Sequence, residues 1–235
     1  MDRIDKILAA QTGMTRKEAH KVIASGAVAV DGNVVKSKDF KVDPETQSIT
    51  LSGNPIGYKK NRYFLLNKPA GVLTASTDKS RETVIDLFKA EPHYERLFAV
   101  GRLDKDTTGL LIITDDGDYA HRVISPKSEV EKEYIAEVDG EISQNAESVF
   151  AEGIVLADGT KCLPAKLVVA GEDRREAHIT VFEGKYHQIK RMLGTLELGV
   201  NKLHRKRISS ILLPDNLASG EYIEIDRETA YSVFE

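Results

Sequence analysis

Gly101-Arg102-Leu103-Asp104-Lys105-Asp106-Thr107-Thr108-Gly109-Leu110-Leu111 is the stretch that decides how the rest of the chain reads. An apolar run, Leu97 to Val100, leads into it, and a second, Leu110 to Ile113, leads out. Short apolar runs bounded by turn residues predict buried strands, so the polar residues between them form a short loop at a sheet edge. Gly101 and Gly109 bracket that loop, where unusual backbone angles or close backbone approach are easiest. The result is one carboxylate, Asp104, on a rigid support between Arg102 and Lys105. A second turn, Asp115-Asp116-Gly117, closes the far end.

A lone Asp in a loop is more often a turn former or a cap than a catalyst. Asp106-Thr107-Thr108-Gly109 suggests half of an aspartic protease site, but that chemistry needs two carboxylates sharing a proton. No second copy of the motif occurs, so that reading fails.

The chain's 235 residues suit one sizeable domain, or a small domain joined to a larger one. Hydrophobic residues make up 41% and charged residues 30%, as in ordinary globular proteins. The single cysteine, Cys162, allows neither an internal disulfide nor a cysteine-based zinc site. The N-terminus lacks the apolar core of a signal peptide and no run reaches membrane-spanning length, so the expected location is cytoplasmic, with no membrane partner. The formal net charge of −4 argues against a nucleic-acid binder, but its distribution does not. Residues 1–60 hold ten Lys/Arg against seven Asp/Glu, and residues 185–207 hold seven against the single acid Glu197. Local basic faces bind phosphate whatever the total charge, although a charge run is more commonly a solvated helix face.

Taken in order, Ile4, Ile7 and Leu8 recur at helical spacing, with Gly13 as the stop. Thr15 and Glu18 form a capping box for a second helix to about Ser25, ended by Gly26. Its exposed side carries Arg16, Lys17, His20 and Lys21. Val28 to Val30, Asp31-Gly32-Asn33 and Val34-Val35 read as a hairpin with a tight turn. Residues 43–61 hold a strand, Ser48 to Leu51, and then a linker. Later strands are expected at Tyr63–Leu66, Glu131–Val138 and near 154–157, 165–169, 177–182, 207–213 and 221–225. Helices are expected at Thr83–Phe88, Asp118–Ile124, from Ser143 to about Glu152, from the Glu183 segment to near Gly199, and at Arg227–Phe234. The lack of a regular βαβ rhythm predicts an α+β fold with a mixed, largely antiparallel sheet.

The pattern G-R-L-D-x-x-T-x-G-L-L-x-x-T-x-D-G from Gly101 to Gly117 resembles the catalytic signature of the pseudouridine synthases, in particular the RsuA branch, which modifies small-subunit ribosomal RNA. Asn67-Lys68-Pro69-Ala70-Gly71 and Glu183-Gly184-Lys185-Tyr186-His187-Gln188-Ile189-Lys190-Arg191-Met192 match the same family, so the resemblance covers essentially the whole chain. The two helices and hairpin of the N-terminal segment resemble the αL-type, S-four-like RNA-binding module; a plain helical cap on the main domain is the alternative. The resemblance implies an S-four-like RNA-binding domain with its linker at 1–59 and a pseudouridine synthase catalytic domain at 60–235.

Turning uridine into pseudouridine breaks the C1′–N1 bond, rotates the uracil and rejoins it through C5. No atoms are added and no redox change occurs, so no cofactor or metal is expected. The sequence also carries no phosphate-binding Gly-rich loop and no H-E-x-x-H motif. The resemblance gives Asp104 the role of the ionised carboxylate that assists bond cleavage. Attack on the base, attack on the sugar and elimination through a glycal all remain open. A cation must keep a buried carboxylate charged; by resemblance it is Lys190, with Arg191 second, while Ile189 makes apolar contact beside the base. A helix-surface lysine holding phosphate is the plainer reading of Lys190. The target base leaves its stack at a cost of a few kcal/mol, and the resemblance gives Arg102 the vacated space. Tyr134 would stack on the flipped uracil or pass a proton, against the plainer reading of a packed strand tyrosine. Arg16, Lys17 and Lys21 would contact RNA phosphates. His187 and His204 are expected to bond phosphate or backbone rather than to act in catalysis. The expected partner is ribosomal RNA, 16S in a partly assembled small subunit, acted on by a monomer. A sister enzyme for 23S rRNA and a non-catalytic ribosome-assembly protein are the alternatives.

Overall fold

The computed structural model describes residues 1–44, 46–58 and 60–235. The chain divides into two compact units, Met1–Lys60 with Glu91–His93, and Asn61–Ala90 with Tyr94–Glu235. The expected linker and the boundary at 59/60 include Glu45 and Lys59, which lie outside the described residues.

The first unit runs β1 (Asp2–Arg3), α1 (Ile4–Thr12), α2 (Arg16–Ala24), β2 (Val28–Val30), β3 (Asn33–Val34), β4 (Lys41–Val42), β5 (Ile49–Leu51) and β6 (Asn54–Pro55). Gly13 ends α1 at φ 72°, a conformation that glycine adopts without steric penalty. The Thr15–Glu18 capping box starts α2, with both reciprocal hydrogen bonds made. Asp31 and Gly32 both take positive φ, the tight turn that the right-handed twist of a hairpin favours. The antiparallel order is β3-β2-β5-β6. Ile4, Ile7, Leu8, Ala19 and Ile23 from the helices pack with Val28, Val30 and Ile49 into a separate small core.

The second unit contains β7 (Tyr63–Lys68), β8 (Phe98–Ala99), β9 (Thr108–Thr114), α3 (Gly117–Ile124), β10 (Lys132–Val138), α4 (Ala146–Glu152), β11 (Lys166–Ala170), β12 (Glu176–Val181), α5 (Gln188–Gly194), β13 (Val200–Ile208), β14 (Ile211–Leu212), β15 (Tyr222–Ile225) and α6 (Arg227–Tyr231). Its described residues form a nine-stranded sheet ordered β11-β12-β10-β13-β9-β7-β15, with β14 on β13 and β8 on β9. Only the short β13–β9 contact is parallel, so the sheet is mixed and largely antiparallel. Strand side chains alternate between faces, and both faces of β7 and β9 are covered. Phe64, Leu66, Leu111 and Ile113 join the core that includes Phe150, Ile189 and Met192. Tyr63, Leu65, Leu110 and Ile112 join the opposite core, with Tyr119, Val123 and Ala230. That is why these strands read as continuous apolar runs.

Several expected elements are corrected. Thr83–Phe88 is no helix: it holds one 3₁₀ turn, Asp86–Phe88. Thr83 exchanges hydrogen bonds with Asp86 as a cap would, but what it starts is the 3₁₀ turn alone, and Leu73 and Thr83 form a parallel bridge just before it. Ser143 does not cap α4, which starts at Ala146. Arg174 donates to the carbonyls of Ile142 and Ser143 and holds that segment outside the helix. Residues 154–157 make only an isolated bridge, Val155 to Lys161. The helix of the second signature covers only Gln188–Gly194 and does not reach Gly199. Leu203-His204-Arg205 lies inside β13, which begins at Val200 rather than near 207.

Candidate active site

The loop carrying Asp104 lies before β9, which has β7 on one side and β13 and β8 on the other, so it sits at the end of an inner strand rather than at a lateral edge. Gly109 makes the approach of β13 possible. Its φ is 99°, and a Cβ there would stand 2.3 Å from the Arg205 carbonyl oxygen. Three further contacts fix the loop. Thr74 Oγ1 donates to the Leu103 carbonyl at 2.7 Å and accepts from Leu103 N–H at 3.2 Å. Gly71 N–H donates to the Lys105 carbonyl. Beneath the loop Lys68, fully buried, donates to the carbonyls of Pro69, Lys105 and Thr107 at 2.9, 3.2 and 3.0 Å. Burial lowers the Lys68 pKa to about 8, with Asp106 and Asp104 acting in the opposite direction. Three carbonyl acceptors match the three N–H bonds of an ammonium and favour the charged form. The rigid support expected for Asp104 is therefore a lysine peg with a threonine staple.

Asp104, Arg102, Thr107, Tyr134, His187 and Ile189 line one small, half-open cleft of about 70 Å³. Asp104 keeps 26% of its side chain exposed. Lys190 Nζ lies 3.7 Å from Asp104 Oδ2, and His187 Nε2 lies 3.4 Å from Oδ1. Lys190 donates more closely to both Asp106 oxygens, at 2.6 and 2.7 Å. That hydrogen bond holds the Asp106 carboxyl below the usual carboxylate range, against burial that raises it. The α5 turn that delivers Lys190 is tied by buried Gln188, which accepts from Lys185 N–H and donates to Glu183. Ile189 is 4% exposed and belongs to the core while lining the cleft. Tyr134 is buried on β10. Arg102 is exposed at the cleft, with no ion pair or side-chain hydrogen bond among the described residues.

The structure does not bring Arg191 to Asp104: its guanidinium pairs with Asp158 at 2.5 Å. The expected basic face over 185–207 is corrected as well. Lys185, Lys190, Arg191, Lys202 and Arg207 pair with carboxylates of Glu183, Asp106, Asp158, Glu137 and the Glu131/Glu133 pair. In the first unit, Arg16 donates to the fully buried Asp5 at 2.7 Å, so it ties the two helices together. Lys17 and Lys21 remain exposed.

Three residues at or near the site, Lys68, Asp106 and Arg205, were given no role by the sequence, and a fourth, His187, expected on phosphate or backbone, faces the Asp104 carboxylate instead. His187, at φ 47°, stacks on exposed Tyr186 with ring centroids 3.8 Å apart and turns its imidazole to Asp104. Lys68 sits in the N-K-P-x-G step, whose buried strand is the signal that its amine points inward. Asp106 holds Lys190. Arg205 is 3% exposed and pairs across strands with Tyr134. Its Nε donates to the Leu110 carbonyl at 2.7 Å and its Nη1 lies 3.4 Å from the Tyr134 hydroxyl. Arg205 Nη2 and Thr107 Oγ1 are buried without a partner among the described residues. A buried cation with an unsatisfied donor is costly, and such sites cluster where function demands them. His204 bonds Thr108 Oγ1 at 2.9 Å and is held low by burial, then by Lys206.

Residues 62–195 match the model of the RNA pseudouridylate synthase family, and residues 2–48 match that of the S4 domain. The Ribosomal small subunit pseudouridine synthase A of Vibrio parahaemolyticus is 42% identical over 233 residues, 99% of each chain. The Uncharacterized RNA pseudouridine synthase YtzG of Bacillus subtilis is 40% identical over 228 residues, 96% of this chain and 95% of that one. A crystal structure of a pseudouridylate synthase, 35% identical, superposes with a TM-score of 0.69 over 99% of this chain and 100% of that one. The chain belongs to the RNA pseudouridine synthase family. Within that family it is of the RsuA type, with an S4 domain preceding the synthase domain.

Proposed function

We propose that this enzyme converts one uridine of small-subunit (16S) ribosomal RNA to pseudouridine, with Asp104 as the reacting carboxylate. The observation that carries the reading is an ionisable carboxylate on a braced loop, flanked by Lys190 and His187 inside a cleft that Tyr134 also lines. The small-subunit substrate is supported by the name of the Vibrio relative, which matches along its full length.

In this reading the uridine swings out of its stack and its uracil enters the cleft between Tyr134 and Ile189. Arg102, exposed and unpaired among the described residues, stacks where the base was; a planar guanidinium can stack and bond phosphate together, which an ammonium cannot. Asp104 assists cleavage of the C1′–N1 bond, the detached uracil turns within the cleft, and C5 bonds to C1′. The C5 proton then leaves and N1, freed of the sugar, takes up a proton, so the product is an isomer of the substrate. Residues 1–59 form the RNA-gripping domain, with Lys17 and Lys21 on phosphates, and residues 60–235 form the catalytic domain.

The test is incubation of the purified enzyme with 16S and 23S rRNA transcripts labelled with tritium at uridine C5, paired with site mapping in cells with and without the gene. Tritium release is expected from the 16S transcript alone, together with loss of one 16S pseudouridine in the deletion. Release from the 23S transcript alone would move the substrate to the large subunit. No release from either transcript or from labelled small-subunit assembly particles, with tight RNA binding, would leave a non-catalytic assembly factor.

A further inference from the structure

Asp104 is flanked by cationic or polar groups and is hydrogen-bonded by none of them. Among the described residues no hydrogen bond reaches either of its carboxylate oxygens; the basic groups beside it are His187 Nε2 at 3.4 Å and Lys190 Nζ at 3.7 Å. A free lysine beside a carboxylate normally closes to contact, where the hydrogen bond is about 2.7–2.9 Å. Lys190 does not, because Asp106, two residues along the same loop, holds both of its own oxygens on that amine at 2.6 and 2.7 Å. Asp106 is 73% exposed, while Lys190 is only 23% exposed, so the more solvated carboxylate holds the less solvated amine.

We infer that Asp106 is a positioning residue, which holds the Lys190 ammonium beside Asp104 and keeps it from capping the Asp104 oxygens. The inference rests on the reading of Asp104 as the reacting carboxylate. Coulomb energy falls only as the inverse of distance, so moving a cation from 2.7 to 3.7 Å retains roughly three quarters of its attraction. A hydrogen bond is lost altogether over the same ångström. The parked lysine therefore supplies positive charge while leaving Asp104 lone pairs open toward the substrate. The spacing of the two carboxylates is set by the loop itself. Lys68 grips the carbonyls of Lys105 and Thr107, on either side of Asp106, and Thr74 grips Leu103, so neither carboxylate drifts relative to the other.

The experiment is steady-state tritium release from the labelled rRNA transcript that the wild type modifies, for Asp106→Asn, Asp106→Glu and Asp104→Asn. Asp106→Asn frees Lys190 to close on Asp104, so kcat falls about tenfold. KM for RNA stays level or drops, because a negative charge has left the mouth of an RNA cleft. Asp106→Glu restores the anion and recovers most of kcat. A kcat for Asp106→Asn within twofold of wild type would overturn the inference. So would a fall in kcat accompanied by a rise in KM that Asp106→Glu does not recover, which is the pattern of a merely structural loop residue. Turnover by Asp104→Asn would instead sink the assignment of Asp104 itself, which separates the two failures.

Discussion

The two units each hold a carboxylate with basic neighbours, and the contrast between Asp5 and Asp104 separates structure from chemistry. Asp5 is fully buried and receives Arg3, Arg16 and His20, at 2.9, 2.7 and 2.8 Å, with Arg3 also bonded to Asp39. Burial pushes its pKa up, but hydrogen bonds from Arg3, His20 and Arg16 outweigh that and hold the group well below the usual carboxylate range. Its oxygens accept from three basic partners and its side chain has no exposed surface. Asp104 is a quarter exposed, has two basic side chains near it, and accepts a hydrogen bond from neither. A saturated carboxylate locks helices together, whereas an unsaturated one beside a held charge keeps lone pairs open, as the proposed role of Asp104 requires.

The sharpest way to disturb the second carboxylate without touching the first is Gly109→Ala. The methyl would meet the Arg205 backbone, and φ of 99° is foreign to alanine. We expect a stability loss of at least about 3 kcal/mol in urea unfolding, with activity abolished. Asp5→Ala is expected to destabilise the first unit by about 2–3 kcal/mol, at the low end for a broken buried pair because its three cationic partners can turn to water. Turnover of RNA already bound would be nearly unchanged.

Acid sharpens the same point. Asp5 has a lowered pKa in the folded chain, so the unfolded chain binds its proton first as pH falls. Its contribution is complete above the ordinary carboxylate pKa of about 4 and declines progressively below that. Wild type should lose stability between pH 4 and pH 2 more steeply than Asp5→Ala, measured by denaturant midpoints across that range. Parallel profiles would mean Asp5 is not the acid-sensitive tie.

Lys68→Met removes the peg under the loop and leaves three carbonyls without their donor. We expect a loss of about 2 kcal/mol, tempered by the relief of burying a charge. We also expect kcat to fall about tenfold as Asp104 loses its fixed position, with RNA affinity retained. The smallest effect belongs to Lys17→Ala with Lys21→Ala. Each exposed lysine on phosphate contributes about one unit to the slope of log affinity against log salt, so the pair should flatten it by about one to two. Arg16→Ala should instead lower the melting temperature of the first unit, because its guanidinium is already committed to Asp5.

Local signals carried much of the fold. Thr15 with Glu18, Gly13, and Asp31-Gly32 are short-range devices whose partners lie within a few residues, and each did what its chemistry dictates. The apolar runs at Tyr63 and Leu110 were legible because both faces of those strands are buried. The failures share one cause, a distant partner that overrides a local preference. Thr83 bridges Leu73 on the neighbouring segment, so its reciprocal bonds with Asp86 start only a 3₁₀ turn, and Arg174 takes the carbonyls of Ile142 and Ser143, so Ser143 does not start the helix its sequence invites. The approach of Lys190 to Asp104 was legible because long motifs carry both residues. The basic run 185–207 was not, because its neutralising acids, among them Asp158, Glu137 and Glu131, come from other strands and loops. Arg205 was hidden for the same reason: a charged residue on a strand gives no sign that it will face inward to Tyr134.

The most direct measurement is single-turnover pseudouridine formation by Asp104→Asn, with RNA affinity determined on the same preparation. The amide keeps the shape of the side chain and removes its charge. The rate should be at least about a thousandfold lower, with Kd for RNA within about threefold of wild type. A rate within tenfold of wild type would contradict the role proposed for Asp104.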